Sequence, residues 1–267
     1  MYFDNLFGPV AVEHGWVPAP SYSLRRRRVL ELTAEWPEGD LLEVGCGAGT
    51  LLCEFGRKGF DCTGLDASFA ARELAGLVNM GEARVQIVES SEPGWLGRFD
   101  YLLAFEVLEH IENDLDALRG WYDWLKPGGV LLLSVPAHQR RWSPSDLWAG
   151  HFRRYERQDL ERLLEVAGFE VDVVDCYGFP IANVVDPLRS FNHARILRKA
   201  AKAGAQTDRE SLNQQSGVSR SLEATLFPLQ RSGLGKLVFK LGFKLQARVS
   251  AREWGTGFLV MATRPMV

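Results

Sequence analysis

Leu41-Leu42-Glu43-Val44-Gly45-Cys46-Gly47-Ala48-Gly49-Thr50 is the stretch that decides the fold. A short apolar strand runs directly into a turn with glycine at every second position, and Thr50 to Arg57 then reads as a helix. Alternate glycines let the backbone bend sharply and approach a ligand closely, because no Cβ stands in the way. A dinucleotide-binding turn would be GxGxxG, with its third glycine at position 50. Thr50 stands there instead and Glu43 lies inside the strand, a spacing that argues against a pyrophosphate site and so against a nicotinamide-dependent oxidoreductase.

Outward from this turn, short apolar runs alternate with helical stretches, the mark of βαβ units. Strands are expected at 41–44, 60–65, 85–88, 101–105, 130–135 (after the turn Lys126-Pro127-Gly128-Gly129) and 169–175, with helices at 50–57, 68–78, 113–125 and 158–167. Only Gly257 to Ala262 has the apolar run of a seventh strand, so about 80 residues intervene before it. The expected fold is α/β and Rossmann-like: a seven-stranded sheet, helices on both faces by right-handed crossovers, and a helical cap inserted before the last strand. The domains are then an N-terminal helical segment (1–39), a ligand-binding core (40–180), a basic helical cap (181–254) and the last core strand (255–267). In the first, Tyr22 to Trp36 reads as a helix whose run Arg25 to Arg28 forms a solvated face. In the cap, a Gln/Ser-rich patch at 206–221 reads as a loop.

A chain of 267 residues with 46% hydrophobic and 24% charged residues is globular, not disordered or fibrous. Met1 to Pro20 lacks the basic start and apolar run of a secretory signal, and no apolar stretch approaches the roughly 20 residues that cross a bilayer. The four cysteines show no CxxC pairing and read as packing residues, so a cytoplasmic location is expected. Residues 186–252 hold 13 Lys or Arg against 4 Asp or Glu, a balance of +9 that leaves −12 for the rest of the net −3 chain. That acidic remainder gives nucleic acid little to bind.

Asp66 ends the second strand about 20 residues after the glycine turn, where open α/β sheets place a carboxylate for ribose hydroxyls, with Ala67 beside it. Glu89 and Ser90, at the end of the third strand, are candidates for an adenine amino group.

The motif ExGxGxG at 43–49, Asp66, the block FDYLLAFEVLEH at 99–110, LKPGG at 125–129 and a strand ending in Val135-Pro136 together resemble the class I S-adenosylmethionine (SAM)-dependent methyltransferases, over roughly residues 40 to 180. The resemblance implies a mostly parallel sheet with an antiparallel last strand, and SAM as cofactor. It assigns Glu43, Gly45, Gly47 and Asp66 to SAM, with Phe105 and Glu106 flanking its methionine part. A second block, from His138 through Asp146 to Gly150-His151-Phe152-Arg153-Arg154-Tyr155, is similar to a bacterial small-molecule subgroup with a GHxRRY segment. It lies just beyond the carboxyl end of the fifth strand, where such sheets bind ligands, so Asp146, Arg154 and Tyr155 are substrate candidates. Glu106, Glu109 and His110 resemble the ExxEH metal segment of ubiquinone-biosynthesis O-methyltransferases. The same letters serve as packing elsewhere in the family, and no metal is expected.

Methyl transfer from a sulfonium needs alignment above all, since positioning supplies several kcal/mol and the leaving group needs no acid. The acceptor's proton remains, and imidazole suits its removal near neutral pH. His138 and His151, with His110 third, are the candidate bases, with Asp146 or Tyr155 as orienting partner. The expected acceptor is a small molecule, first a hydroxyl of a sugar, phenol or polyketide-type metabolite; nitrogen and carbon acceptors and a silent SAM-binding module are the alternatives. Within the cap, Lys236, Lys240, Lys244 and Arg248 recur among apolar residues, consistent with a lid over the site or with a membrane-surface contact. The lid is favoured, because Gly233, Gly235 and Gly242 weaken a helix. Nothing in the sequence fixes the oligomeric state.

Overall fold

The computed structural model describes residues 1–202 and 221–266, the side chains of residues 221 and 222 excepted. The glutamine-rich patch from Gln206 lies outside them. The sheet strands are β3 (Asp40–Val44), β4 (Asp61–Leu65), β5 (Val85–Val88), β6 (Phe99–Phe105), β7 (Leu125–Pro136), β8 (Glu170–Tyr177) and β9 (Gly257–Thr263), following a short hairpin of β1 (Tyr2–Asp4) and β2 (Gly8–Val10). They lie in the order β5-β4-β3-β6-β7-β9-β8, with β9 antiparallel to both β7 and β8 and the other pairs parallel. Period-two alternation divides the core: Leu42, Leu102, Leu131 and Leu133 pack on one face, and Leu41, Leu103 and Leu132 on the other. With both faces covered, these strands read as continuous apolar runs.

The helices are α1 (Pro20–Leu32), α2 (Thr50–Arg57), α3 (Phe69–Val78), α4 (Asp114–Trp124), α5 (Pro144–Ala149), α6 (Arg157–Ala167) and α7 (Ile181–Lys202), then the helices Ser221–Arg231 and Gly233–Val249. The last three form the helical insertion before β9.

Three expectations are corrected. The first 39 residues are not helical throughout, since the β1–β2 hairpin precedes α1. LKPGG is not a turn that precedes its strand: β7 starts at Leu125 opposite Phe99 and regains its register at Val130 opposite Tyr101, with residues 126–129 of β7 set against Asp100 alone. Nor is the arginine run a solvated face. Arg26 is buried and its Nε donates to Glu54 Oε1 at 2.6 Å, while Arg28 Nε donates to Asp175 at 3.0 Å. The physical reason lies in the spacing: Tyr22, Arg25, Arg26 and Val29 stand at i, i+3, i+4 and i+7, a stripe of α1 turned inward, where Tyr22 and Arg26 meet Thr50 and Glu54 of α2.

Candidate functional site

The turn after β3 is a backbone cradle. Gly45, Gly47 and Gly49 have φ of +65°, +53° and +63°, and Gly45 N–H donates to the Leu65 carbonyl at 2.7 Å. A Cβ on Gly45 would stand 2.5 Å from Val107 Cγ2, so glycine is required there sterically as well as conformationally. Asp66 Oδ2 accepts the Gly47 N–H at 2.8 Å and its Oδ1 accepts the Ser68 N–H at 2.9 Å. A carboxylate has about four lone-pair positions, so each oxygen keeps one for a hydroxyl. Ala67, Glu89 and Ser90 are exposed nearby, with Glu89 held 3.1 Å from Arg72.

Glu43 is buried beneath the turn, and its Oε2 has no hydrogen-bond partner. Burial pushes its carboxyl up to about 8, with Arg25 pulling the other way. An orphaned carboxyl oxygen on the cavity wall is a place for a cation. Glu106 follows β6 with a φ of +57°, a region a non-glycine residue occupies only when its surroundings enforce it. Its N–H donates to the Ser134 carbonyl at 2.9 Å, and its Oε1 accepts from Ser134 Oγ at 2.9 Å and Tyr177 Oη at 2.7 Å. Arg25 stands 3.7 Å from that same oxygen and 5.2 Å above the Phe105 ring.

Across the cavity, Asp146 is fully buried as the N3 residue of α5, completing a capping box with Ser143. Its Oδ1 meets His151 Nδ1 at 3.0 Å and accepts from Arg154 Nε at 2.8 Å, and its Oδ2 accepts from Arg154 Nη2 at 3.0 Å. Burial would raise this carboxyl, but the hydrogen bonds from His151 and Arg154 prevail and hold it at about 2. The His110 and His151 rings meet edge to face at 4.7 Å, and burial, then His151, pushes His110 down to about 3. From α7, His193 stacks on Trp148 at 4.1 Å and meets Ser145 Oγ at 3.0 Å; burial, then Arg189, pushes it down to about 4.

A cavity of about 260 Å³ joins the two sets, lined by Glu43, Gly45, Gly47, Phe105 and Glu106 on one side and His110, Asp146, His151, Arg154 and His193 on the other. Of the candidates, Asp66, Ala67, Glu89 and Ser90 are not among its lining residues, and neither are His138 and Tyr155. His138 is buried with Nδ1 3.1 Å from Glu156 and Nε2 3.2 Å from the Glu253 carbonyl, and Tyr155 Oη donates to Asp114 at 3.0 Å. Both brace the segment after β7. Glu109, His110 and His151 place ligand atoms within 4.8 Å of one another, a geometry that could hold a metal ion; Glu106 is not part of that group. Sequence reasoning missed Arg25, Trp148, Tyr177, Asp186, Arg189 and His193 as lining residues. Only Arg25 had a signal, the helical stripe it shares with Tyr22.

The glycine cradle, the orphaned Glu43 oxygen and the free positions on Asp66 fit SAM: a cationic amino-acid end at Glu43 and a ribose at Asp66.

Residues 21–174 match a family described as a methyltransferase domain. Over 104 residues the chain is 35% identical to the ubiquinone biosynthesis O-methyltransferase of Xanthomonas campestris pv. campestris, a match that covers 37% of this chain and 44% of that protein. The chain therefore spans less than half the length of that relative. Among solved structures, the [4+2]-cyclase SpnF superposes with a TM-score of 0.57 at 19% identity, covering 97% of this chain and 89% of that one. Phosphoethanolamine N-methyltransferase 2 of Haemonchus contortus, in complex with S-adenosyl-L-methionine, gives 0.52 at 16% identity, covering 90% and 52%. At such identities these likenesses show the fold alone. The family match takes in β3 to β7, the glycine cradle, Asp66 and the Asp146–His151–Arg154 cluster, so the chain belongs to the methyltransferase-domain family.

Proposed function

We propose that this chain is an enzyme that transfers the methyl group of SAM to a small-molecule acceptor, most specifically to a hydroxyl oxygen, with His151 receiving the acceptor's proton. The observation that carries the reading is the single cavity of about 260 Å³ whose walls are the glycine cradle with Glu43 on one side and the His151–Asp146 pair on the other. Bound SAM supplies an electrophilic methyl carbon on a sulfonium. The chain's own residues do the rest. The turn from Gly45 to Gly49 and Asp66 bind and orient, Glu43 offers a carboxylate, and Phe105 with Tyr177 excludes water. Asp146 Oδ1 accepts the Nδ1 proton of His151 and so leaves Nε2 as the basic nitrogen. Oxygen is favoured as acceptor because a hydroxyl must lose a proton on methylation, and this pair is built to take one. A sugar, phenol or polyketide-type metabolite fits this chemistry, and we read the chain into the GHxRRY subgroup because His151 and Arg154 of that segment both line the cavity.

The test is single-turnover methylation of a candidate hydroxyl acceptor, with SAM affinity measured separately by calorimetry against NAD as control. His151→Ala should lose at least about a hundredfold in rate with SAM affinity kept, while His138→Ala keeps its rate if it folds. Full rate in His151→Ala removes the base, and a chain that binds NAD in place of SAM removes the reading itself.

A further inference from the structure

The helix Gly233–Val249 contributes no residue to the cavity, which α7 closes with Asp186, Arg189 and His193. Its chemistry is therefore not used by the proposed reaction. One face is spent on the core, where Phe239, Gly242, Phe243 and Gln246 are buried. A second apolar stripe stays in solvent: Leu234, Val238, Leu241 and Leu245 recur at intervals of four, three and four, the spacing of a single helix face, with Leu237 at its edge. Leu234 is 70% and Leu241, two turns on, 58% exposed, and together with their neighbours they make a contiguous apolar patch. Beside the stripe run Lys240, Lys244 and Arg248, none with a carboxylate partner among the described residues, while Lys236 is held 2.7 Å from Asp4.

Of the three glycines that weigh against a stable helix, Gly233 has nothing within 4 Å of an added Cβ, but Gly235 and Gly242 have a packing reason. A Cβ on Gly235 would stand 2.3 Å from the Leu229 carbonyl oxygen at the junction of the two last helices. One on Gly242 would stand 2.5 Å from Ile181 of α7. The helix is held by these close approaches and does not depend on propensity. Further along its length α7 also exposes Val184, Leu188 and Phe191 at i, i+4 and i+7, ahead of Arg195, Arg198 and Lys199.

We propose that the exposed stripe of Gly233–Val249 docks on an anionic lipid bilayer, with its leucines and Val238 entering the interface and Lys240, Lys244 and Arg248 meeting the headgroups. Charge decides the occupant. The surrounding segment carries +9 on a chain that is otherwise −12, so an anionic surface attracts this face and repels the remainder. A second copy docking stripe to stripe would set the basic rows against each other. Such a helix lies in the membrane plane and does not cross it, and no helix among the described residues is long and apolar enough to cross.

The experiment is co-sedimentation of the full chain with vesicles of phosphatidylcholine and phosphatidylserine at roughly 7:3, with pure phosphatidylcholine as control, at low and high salt. Binding is expected with the mixed vesicles at low salt and weakened by high salt. Leu237→Glu with Leu241→Glu should abolish it, and Lys240→Gln with Lys244→Gln should weaken it on the order of tenfold or more. Both pairs are exposed, and unchanged melting confirms that the variants fold. No binding to mixed vesicles, equal binding by the leucine variant, or a dimer in solution that this variant splits would each overturn the proposal.

Discussion

His151 Nδ1 and Asp146 Oδ1 stand 3.0 Å apart, on a carboxylate that also takes Arg154 through both of its oxygens. One buried anion thus orients the imidazole at the cavity and anchors the segment that carries it. Asp146→Asn keeps the shape and removes the charge, leaving Arg154 unpaired, and breaking such a buried pair costs about 3–5 kcal/mol. The expected result is a large fall in the urea midpoint together with loss of methylation. A variant as stable as the parent would show that Arg154 finds another partner.

Glu43 gives a pH signature of the cofactor pocket. With its carboxyl pushed up to about 8, the stability it contributes is complete below the ordinary 4.5 and is lost as pH rises toward 8. A cationic ligand needs the carboxylate, so SAM affinity should rise with pH up to about 8 and binding should release a proton at neutral pH. In Glu43→Gln both slopes should flatten and affinity should fall by about tenfold or more. Calorimetry in buffers of different ionisation enthalpy reads the proton directly, and its absence in the parent would mean that Glu43 does not meet the cation.

The buried imidazoles act in the opposite range. His110 is pushed down to about 3 and His193 to about 4, so both stay neutral in the fold while they charge in the unfolded chain below 6.5. Their stability is complete above 6.5 and is lost as pH falls toward 3 to 4. His110→Gln combined with His193→Gln should lose less stability between pH 7 and pH 5 than the parent does, by urea denaturation; parallel losses would refute the assignment.

Two glycines separate cradle from scaffold. Gly45→Ala puts a Cβ 2.5 Å from Val107 Cγ2 at a φ of +65° and should cost about 1–3 kcal/mol and most SAM binding. Gly76→Ala, in the last turn of α3 with open space around it, should stabilise by about 0.5–1 kcal/mol and leave binding intact. Equal effects in melting and calorimetry would deny the turn its special role.

Much of the core was legible because strand burial and helix amphipathicity are local patterns. The strand Val85–Val88 and the helix Thr50–Arg57 stand as the periodicity places them, and other boundaries move by a few residues. The hairpin before α1 was not legible, since its strands have only three residues each and no alternation to read. His138 and His151 looked equivalent as sequence. Thirteen residues apart, they face different sides of the segment after β7, one toward Glu156 and Glu253, the other into the cavity.

The sequence by itself determined the sheet, the glycine cradle after its leading strand and the carboxylate at position 66, because each depends on spacing along the chain. Only the tertiary structure decided which histidines meet the cavity, that Arg25 and α7 wall it, and that Gly233–Val249 turns an apolar stripe outward. Those outcomes depend on which helix face finds a partner, and a partner distant in sequence leaves no period to read.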